Sequence, residues 1–135
     1  MFQISRALYR ELAVDLPADA DRSAVLQACE ETVGRLVHDR HYFAHPARSL
    51  FADIRRHFPL AAQRRVYAVV ERHLGATRQY LESSNEAMVL LTGERPTCRA
   101  TTRRRGLCSH EPDPRTGYCR WHSHLVCEDE AALAA

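Results

Sequence analysis

The chain has 135 residues, with 19 arginines and no lysine against 17 acids, eight histidines, five cysteines and 45% hydrophobic residues. An ordinary apolar fraction with a net charge of only +2 excludes disorder throughout. The longest apolar runs, such as Ala87 to Leu91, fall far short of the roughly 18 to 20 residues that span a bilayer, so no membrane span is expected.

The N-terminal Met1-Phe2-Gln3-Ile4-Ser5-Arg6 lacks the basic stretch and apolar core of a secretory signal, which predicts a cytoplasmic location. Ile4, Leu8 and Leu12 recur at helical spacing, and Pro17 with Asp19 and Asp21 marks a break and a new helix start. A second helix is predicted from about Arg22 to Phe43, with Leu26, Cys29, Val33, Leu36, Val37 and Phe43 on its apolar face. Cys29 there reads as a small buried hydrophobe. His38, His41 and His45 share a different face, about 130° away on the wheel, and read as solvated rather than metal-ligating. His45-Pro46 ends the helix, because a residue before proline is pushed out of the α region.

Pro46 can open a shorter helix carrying Leu50, Phe51, Ile54 and Phe58, which Pro59 closes. A fourth helix, from about Ala61 to Ser83, has Val66, Val69, Val70, Leu74, Thr77, Tyr80 and Leu81 in one stripe, with Gly75 opposite at a cost of about 1 kcal/mol. His73 falls on that stripe and is expected to be a hydrogen-bonded core histidine. His57 and His110 have no convincing partner in the sequence. Ser83 followed by Glu86 resembles a capping box, predicting a short fifth helix that ends at Gly93 or a kinked continuation of the fourth. The expected fold is mainly α, an antiparallel four- to five-helix bundle followed by a small irregular zinc-stabilised module.

The composition shifts at Thr92-Gly93-Glu94-Arg95-Pro96, which divides the chain into a bundle (1–92), a cysteine-rich module (93–127) and an acidic, alanine-rich tail (128–135). Charge follows the same division. Residues 1–92 are nearly neutral, with 12 arginines against 11 acids. From Arg99 to Arg120, six arginines face only Glu111 and Asp113.

The module also holds Cys98, Cys108, Cys119 and His122, in the pattern C-x9-C-x10-C-x2-H. Three thiolates and an imidazole are a donor set that tetrahedral Zn²⁺ prefers, and a Cys-x-x-His turn lets two ligands from adjacent backbone reach one ion. About 30 residues this poor in apolar side chains cannot bury enough surface to fold alone, and metal binding would supply the missing stability. One structural Zn²⁺ per chain is therefore expected. Disulfides do not suit a cytoplasmic chain, an iron–sulfur cluster stays open as a rival, and His124 or Cys127 could replace His122 as fourth ligand. Four protein ligands close off the ion, which argues against a catalytic metal, and the His-x-Glu and Pro-Cys-x-x-Cys signature of zinc deaminases is absent.

Cys98-Arg-Ala-Thr-Thr-Arg-Arg-Arg-Gly-Leu-Cys108, followed by Gly117-Tyr118-Cys119-Arg120-Trp121-His122, resembles the short Cys3His zinc modules of many bacterial and viral proteins. Its ligand spacing is also similar to that of the plant WRC domain. That resemblance covers about residues 97–124 and implies a zinc module with a DNA-associated relative. The first loop has an extra arginine relative to the commoner pattern, and the basic tail that follows many such modules is missing.

Arg103-Arg104-Arg105 has two readings. The guanidinium groups could neutralise the net negative zinc–thiolate cluster, or, with Arg99 and Arg120, contact nucleic-acid phosphates. Trp121 is expected to pack over the module or against the bundle. No nucleophile–base pattern, Gly-rich phosphate loop or paired carboxylates on an apolar face point to an enzyme or a small-molecule substrate. The first functional reading is a non-enzymatic protein whose bundle binds a protein partner or itself, with the zinc module as docking element. A nucleic-acid-associated protein is the second reading, and a thiol or metal redox sensor using Cys127 is a variant of the first.

Overall fold

In the computed structural model, which describes residues 2–127, the order of elements is α1 (Phe2–Leu12), α2 (Arg22–His38), α3 (Pro46–Ile54), α4 (Leu60–Ser83) and α5 (Asn85–Thr92). Short 3-10 turns follow α1 at Ala13–Asp15, α2 at Arg40–Tyr42 and α3 at Arg55–His57. The fold is mainly α, as the periodicity predicts. No helix among the described residues is long and apolar enough to cross a membrane. The tail at 128–135 lies outside the described residues.

The chain forms two compact units, Met1–Gln79 and Tyr80–Ala135. The division therefore precedes the composition shift at 92–96, and α5 groups with the cysteine-rich segment. A side chain accounts for this: Asn85, at the start of α5, donates through Nδ2 to the Pro112 carbonyl at 2.8 Å and to Glu111 Oε1 at 3.0 Å.

In the first unit, α2 packs against both α1 and α3. Leu8, Leu12, Val33, Leu36, Leu50, Ile54, Val66, Val70 and Leu74 are all within 1% of complete burial. Asp21 starts α2 by accepting from the Ala24 amide at 3.0 Å and the Ser23 hydroxyl at 2.7 Å, and these bonds hold its carboxyl below the usual carboxylate range. The α2 face differs from expectation by one residue. Val25, not Leu26, is fully buried, because the buried row runs 25, 29, 32–33 and 36–37. Helix α2 also stops at His38 rather than near Phe43, whose ring is buried beneath the Arg35 guanidinium, 4.3 Å from its centroid. His38, His41 and His45 consequently occupy a helix end, a 3-10 turn and a helix start, and share no face.

Cys29 is completely buried and burial pushes its thiol up to about 12, as befits an inert core residue. His73 is half-buried at the edge of the core, with Nε2 2.8 Å from Glu11 Oε2. Arg72 bonds the same carboxylate. Hydrogen bonds from His73 and then Arg72 hold the Glu11 carboxyl below its ordinary range and tie α1 to α4.

Candidate metal centre

Ser84, one residue after the predicted cap, starts α5 by accepting from the Ala87 amide at 3.2 Å, and Gly93 ends it in the left-handed conformation at φ 78°. Beyond Gly93 the chain forms a narrow hairpin. Cys98 N–H donates to His110 O at 3.0 Å, Cys108 N–H to Ala100 O at 2.9 Å and Thr102 N–H to Gly106 O at 2.8 Å. One antiparallel bridge, Thr101 with Leu107, lies between them. This register puts Cys98, Ala100 and Cys108 on one face and Thr101 and Leu107 on the other. The first face is buried, while Leu107 is 74% exposed.

Arg103, Arg104 and Arg105 are the tip. Arg105 N–H closes the turn onto Thr102 O at 2.9 Å, and among the described residues Arg105 is the one non-glycine residue with positive φ, at 61°. A three-residue hairpin loop characteristically needs a left-handed last residue, usually glycine. An L-residue there costs about 1 to 2 kcal/mol.

The second loop returns the chain by a different device. Asp113 Oδ1 accepts from the Arg115 amide at 2.8 Å, Gly117 N–H donates to Asp113 O at 2.8 Å, and Gly117 adopts φ 75°. Arg99 N–H then donates to Gly117 O at 3.0 Å, joining this loop to the hairpin beside Cys98. Cys119 and His122 follow on one turn, with the His122 amide donating to Cys119 O at 2.9 Å.

These loops bring the Cys98, Cys108 and Cys119 sulfurs and a His122 ring nitrogen within 4.8 Å of one another. Tetrahedral zinc with sulfur at about 2.3 Å and nitrogen at about 2.0 Å implies ligand–ligand edges of about 3.8 Å for S···S and 3.5 Å for S···N. Three of the six edges lie within a few tenths of an ångström of these: 4.0 Å for Cys108 Sγ to Cys119 Sγ, and 3.6 and 3.3 Å from His122 Nδ1 to the Cys98 and Cys119 sulfurs. The group could hold a metal ion and is consistent with zinc. His122 is the fourth member, whereas His124 and Cys127 are exposed and outside the group.

The sulfurs are surrounded by donors. Cys119 N–H donates to Cys98 Sγ at 3.3 Å. Burial raises the Cys119 thiol, but amides of Trp121 and His122 and the neighbouring thiols outweigh that and lower it. At Cys108 the His110 amide lowers the thiol, yet burial and the other two thiols together leave it raised. His110, for which the sequence offers no partner, has Nδ1 3.4 Å from Cys108 Sγ, so its ring can donate to the thiolate. The one available signal was its place two residues after a ligand.

The five arginines divide. Arg99 is partly buried, with its guanidinium 4.9 Å from the Tyr118 ring centroid and Nη1 3.4 Å from Thr116 O. Arg103, Arg104, Arg105 and Arg120 are exposed. Trp121, expected to pack over the module or against the bundle, is 60% exposed, and the Arg120 guanidinium lies over its ring, 4.6 Å from the centroid.

Compared with known proteins, the chain matches no protein-family model, no curated protein and no solved structure.

Proposed function

We propose that this is a non-enzymatic docking protein in which one structural zinc ion per chain builds the C-terminal module. The observation that carries the reading is the Cys3His group gathered within 4.8 Å, three of whose six edges are close to tetrahedral lengths. Four protein ligands leave no open coordination position for substrate or activated water. A spread of 4.8 Å between ligand atoms favours one ion over a sulfide-bridged cluster, which would have to sit between them. The module's buried hydrophobic cluster is Cys98, Ala100, Cys108, Tyr118 and Cys119, flanked by Leu125 and Val126. Such a core is too small to order the segment, and metal coordination supplies the rest.

On this reading the metal holds up a surface, and the surface does the work. The helical unit serves association with a protein partner or a second copy, and its exposed Phe2, Val14, Tyr42 and Leu60 offer apolar contact. The test is metal analysis of the purified chain beside Cys108→Ser. Wild type should carry one zinc per chain, bound with strong pH dependence because protons compete for the thiolates. The variant should lose the metal while keeping most of its helical circular dichroism. Full zinc retention by Cys108→Ser, or visible absorbance of a sulfide cluster in the wild type, would contradict the assignment.

A further inference from the structure

We infer that the partner of the metal-held module is a single-stranded nucleic acid, gripped by the arginine tip and stacked on Trp121. This rests on the docking reading above and names its partner class.

Two independent features of the module point the same way. The first is the tip. Arg103, Arg104 and Arg105 are consecutive and exposed, at the end of a hairpin that projects roughly 10 to 13 Å beyond the Ala100–Cys108 pair. The backbone there favours glycine, yet Arg105 occupies the left-handed position at φ 61°. Turn geometry therefore does not account for arginine at this place, whereas a third charge at the tip does. The sulfur hydrogen bonds are supplied by backbone amides and by His110, so these three guanidinium groups are not needed to satisfy the thiolates. The two acids of the segment are engaged elsewhere: Glu111 accepts from Asn85, and Asp113 holds the second loop.

The second feature is the tryptophan. A large ring 60% exposed leaves apolar surface open to a partner, and the Arg120 guanidinium over one of its faces, 4.6 Å from the centroid, adds a positive charge at the same place. Charge alone would fit any polyanion, including an acidic polypeptide. An aromatic ring with an adjoining arginine, Arg120, adds what a base requires, since every nucleobase has a π-face and its phosphate lies one backbone unit away. In a duplex the faces of the bases are occupied by their neighbours, so the stacking surface selects an unpaired strand.

Trp121 is the chain's single tryptophan, so its fluorescence reports the contact directly. The experiment titrates the full-length, zinc-loaded chain with mixed-sequence 12-nucleotide DNA and RNA single strands, the matching 12-base-pair duplex, and a polyglutamate peptide of equal charge. Single strands should quench Trp121 and bind more tightly than duplex or peptide. The DNA and RNA arms show which strand is the source, and quenching by either supports the inference. Trp121→Ala should weaken single-strand binding about ten-fold, read by anisotropy of a labelled strand, while Trp121→Phe should recover most of it. Replacing Arg103, Arg104 and Arg105 together by Ala should lower the log–log salt slope by about 2, from roughly 0.7 per phosphate contact. Zinc content should stay at one per chain in all these variants, which separates loss of the surface from loss of the module. Equal affinity for polyglutamate, equal affinity for duplex, or binding without a change in Trp121 fluorescence would overturn the inference while leaving the zinc reading intact. Wild type without zinc would overturn both.

Discussion

The two compact units solve one problem by different chemistry. In Met1–Gln79 the helices bury long aliphatic side chains on facing stripes, and residues such as Leu8, Leu36, Leu50 and Leu74 are removed from water almost completely. In the cysteine-rich module the buried hydrophobic cluster is three thiols with Ala100 and Tyr118. Three of the candidate ligands thus make up a large part of what the module buries. A segment without apolar stripes can still hold a defined loop geometry if a single ion supplies the cohesion that a packed core gives elsewhere. Under that proposal the outward-facing residues need not pack, and Leu107, Trp121 and three consecutive arginines are exposed within one small module.

Each unit should then fail on its own terms. Leu36→Ala removes a fully buried side chain from α2 and should destabilise the first unit by about 2 to 5 kcal/mol, measured by chemical denaturation followed at a helical wavelength. Its zinc stoichiometry under native conditions should not change. Loss of zinc in Leu36→Ala would show that the module depends on the bundle core, and the contrast drawn here would fail.

His110→Ala sharpens the other side. If Cys108 is a zinc ligand, the ring beside its Sγ would support it without being a ligand itself, and removing such a support typically costs 10- to 100-fold in metal affinity. Competition with a chromophoric chelator should show that loss with helical content unchanged, and His110→Asn, which retains a donor, should recover part of it. An unchanged affinity would leave His110 without a role at the metal.

A smaller effect of opposite sign is expected at the hairpin tip. Arg105→Gly removes the left-handed strain and should stabilise the zinc-bound module by about 1 kcal/mol, seen as slower exchange of the Thr102 and Cys108 amides. Faster exchange would mean that the arginine side chain, not the turn, holds the tip together.

The smallest effect is the pH response of the α1–α4 latch. Because bonds from His73 and Arg72 lower the Glu11 carboxyl, that contribution is complete above the ordinary carboxylate range and disappears as the pH falls through the lowered value. Wild type should lose stability relative to Glu11→Gln on acidification below the ordinary range. Identical acid profiles would show the latch to be energetically silent.

Much of this organisation could be read from the chain alone, for reasons that differ between the two units. The helical stripes were legible because burial repeats every three or four residues, over more than four turns in α2 and α4, and the candidate ligands because Cys and His at C-x9-C-x10-C-x2-H have few other uses. Local details escaped. Val25 and Leu26 are both apolar neighbours, so periodicity alone does not say which faces the core. The Ser83–Glu86 spacing pointed one residue short of Ser84, the actual cap. The hairpin from Cys98 to His110 has too few alternating residues to signal pairing, and its register depends on the ligands converging. Contacts made by distant partners were out of reach: Glu11 meets His73 across 62 residues, and Asn85 meets Pro112 across 27. Trp121 is more exposed than an aromatic residue read as packed would be, with the Arg120 guanidinium over its ring, a pairing of sequence neighbours that periodicity does not reveal.

The most direct test of the central claim is amide hydrogen exchange of the full chain before and after zinc is stripped by a chelator. With metal, the hairpin amides of Cys98, Thr102 and Cys108 should be protected along with those of α2. After stripping, protection in the hairpin should vanish while α2 keeps its rates, and added zinc should restore the first pattern. Hairpin protection that survives metal removal would contradict the account, because the module would then be held by its packing and not by its ligands.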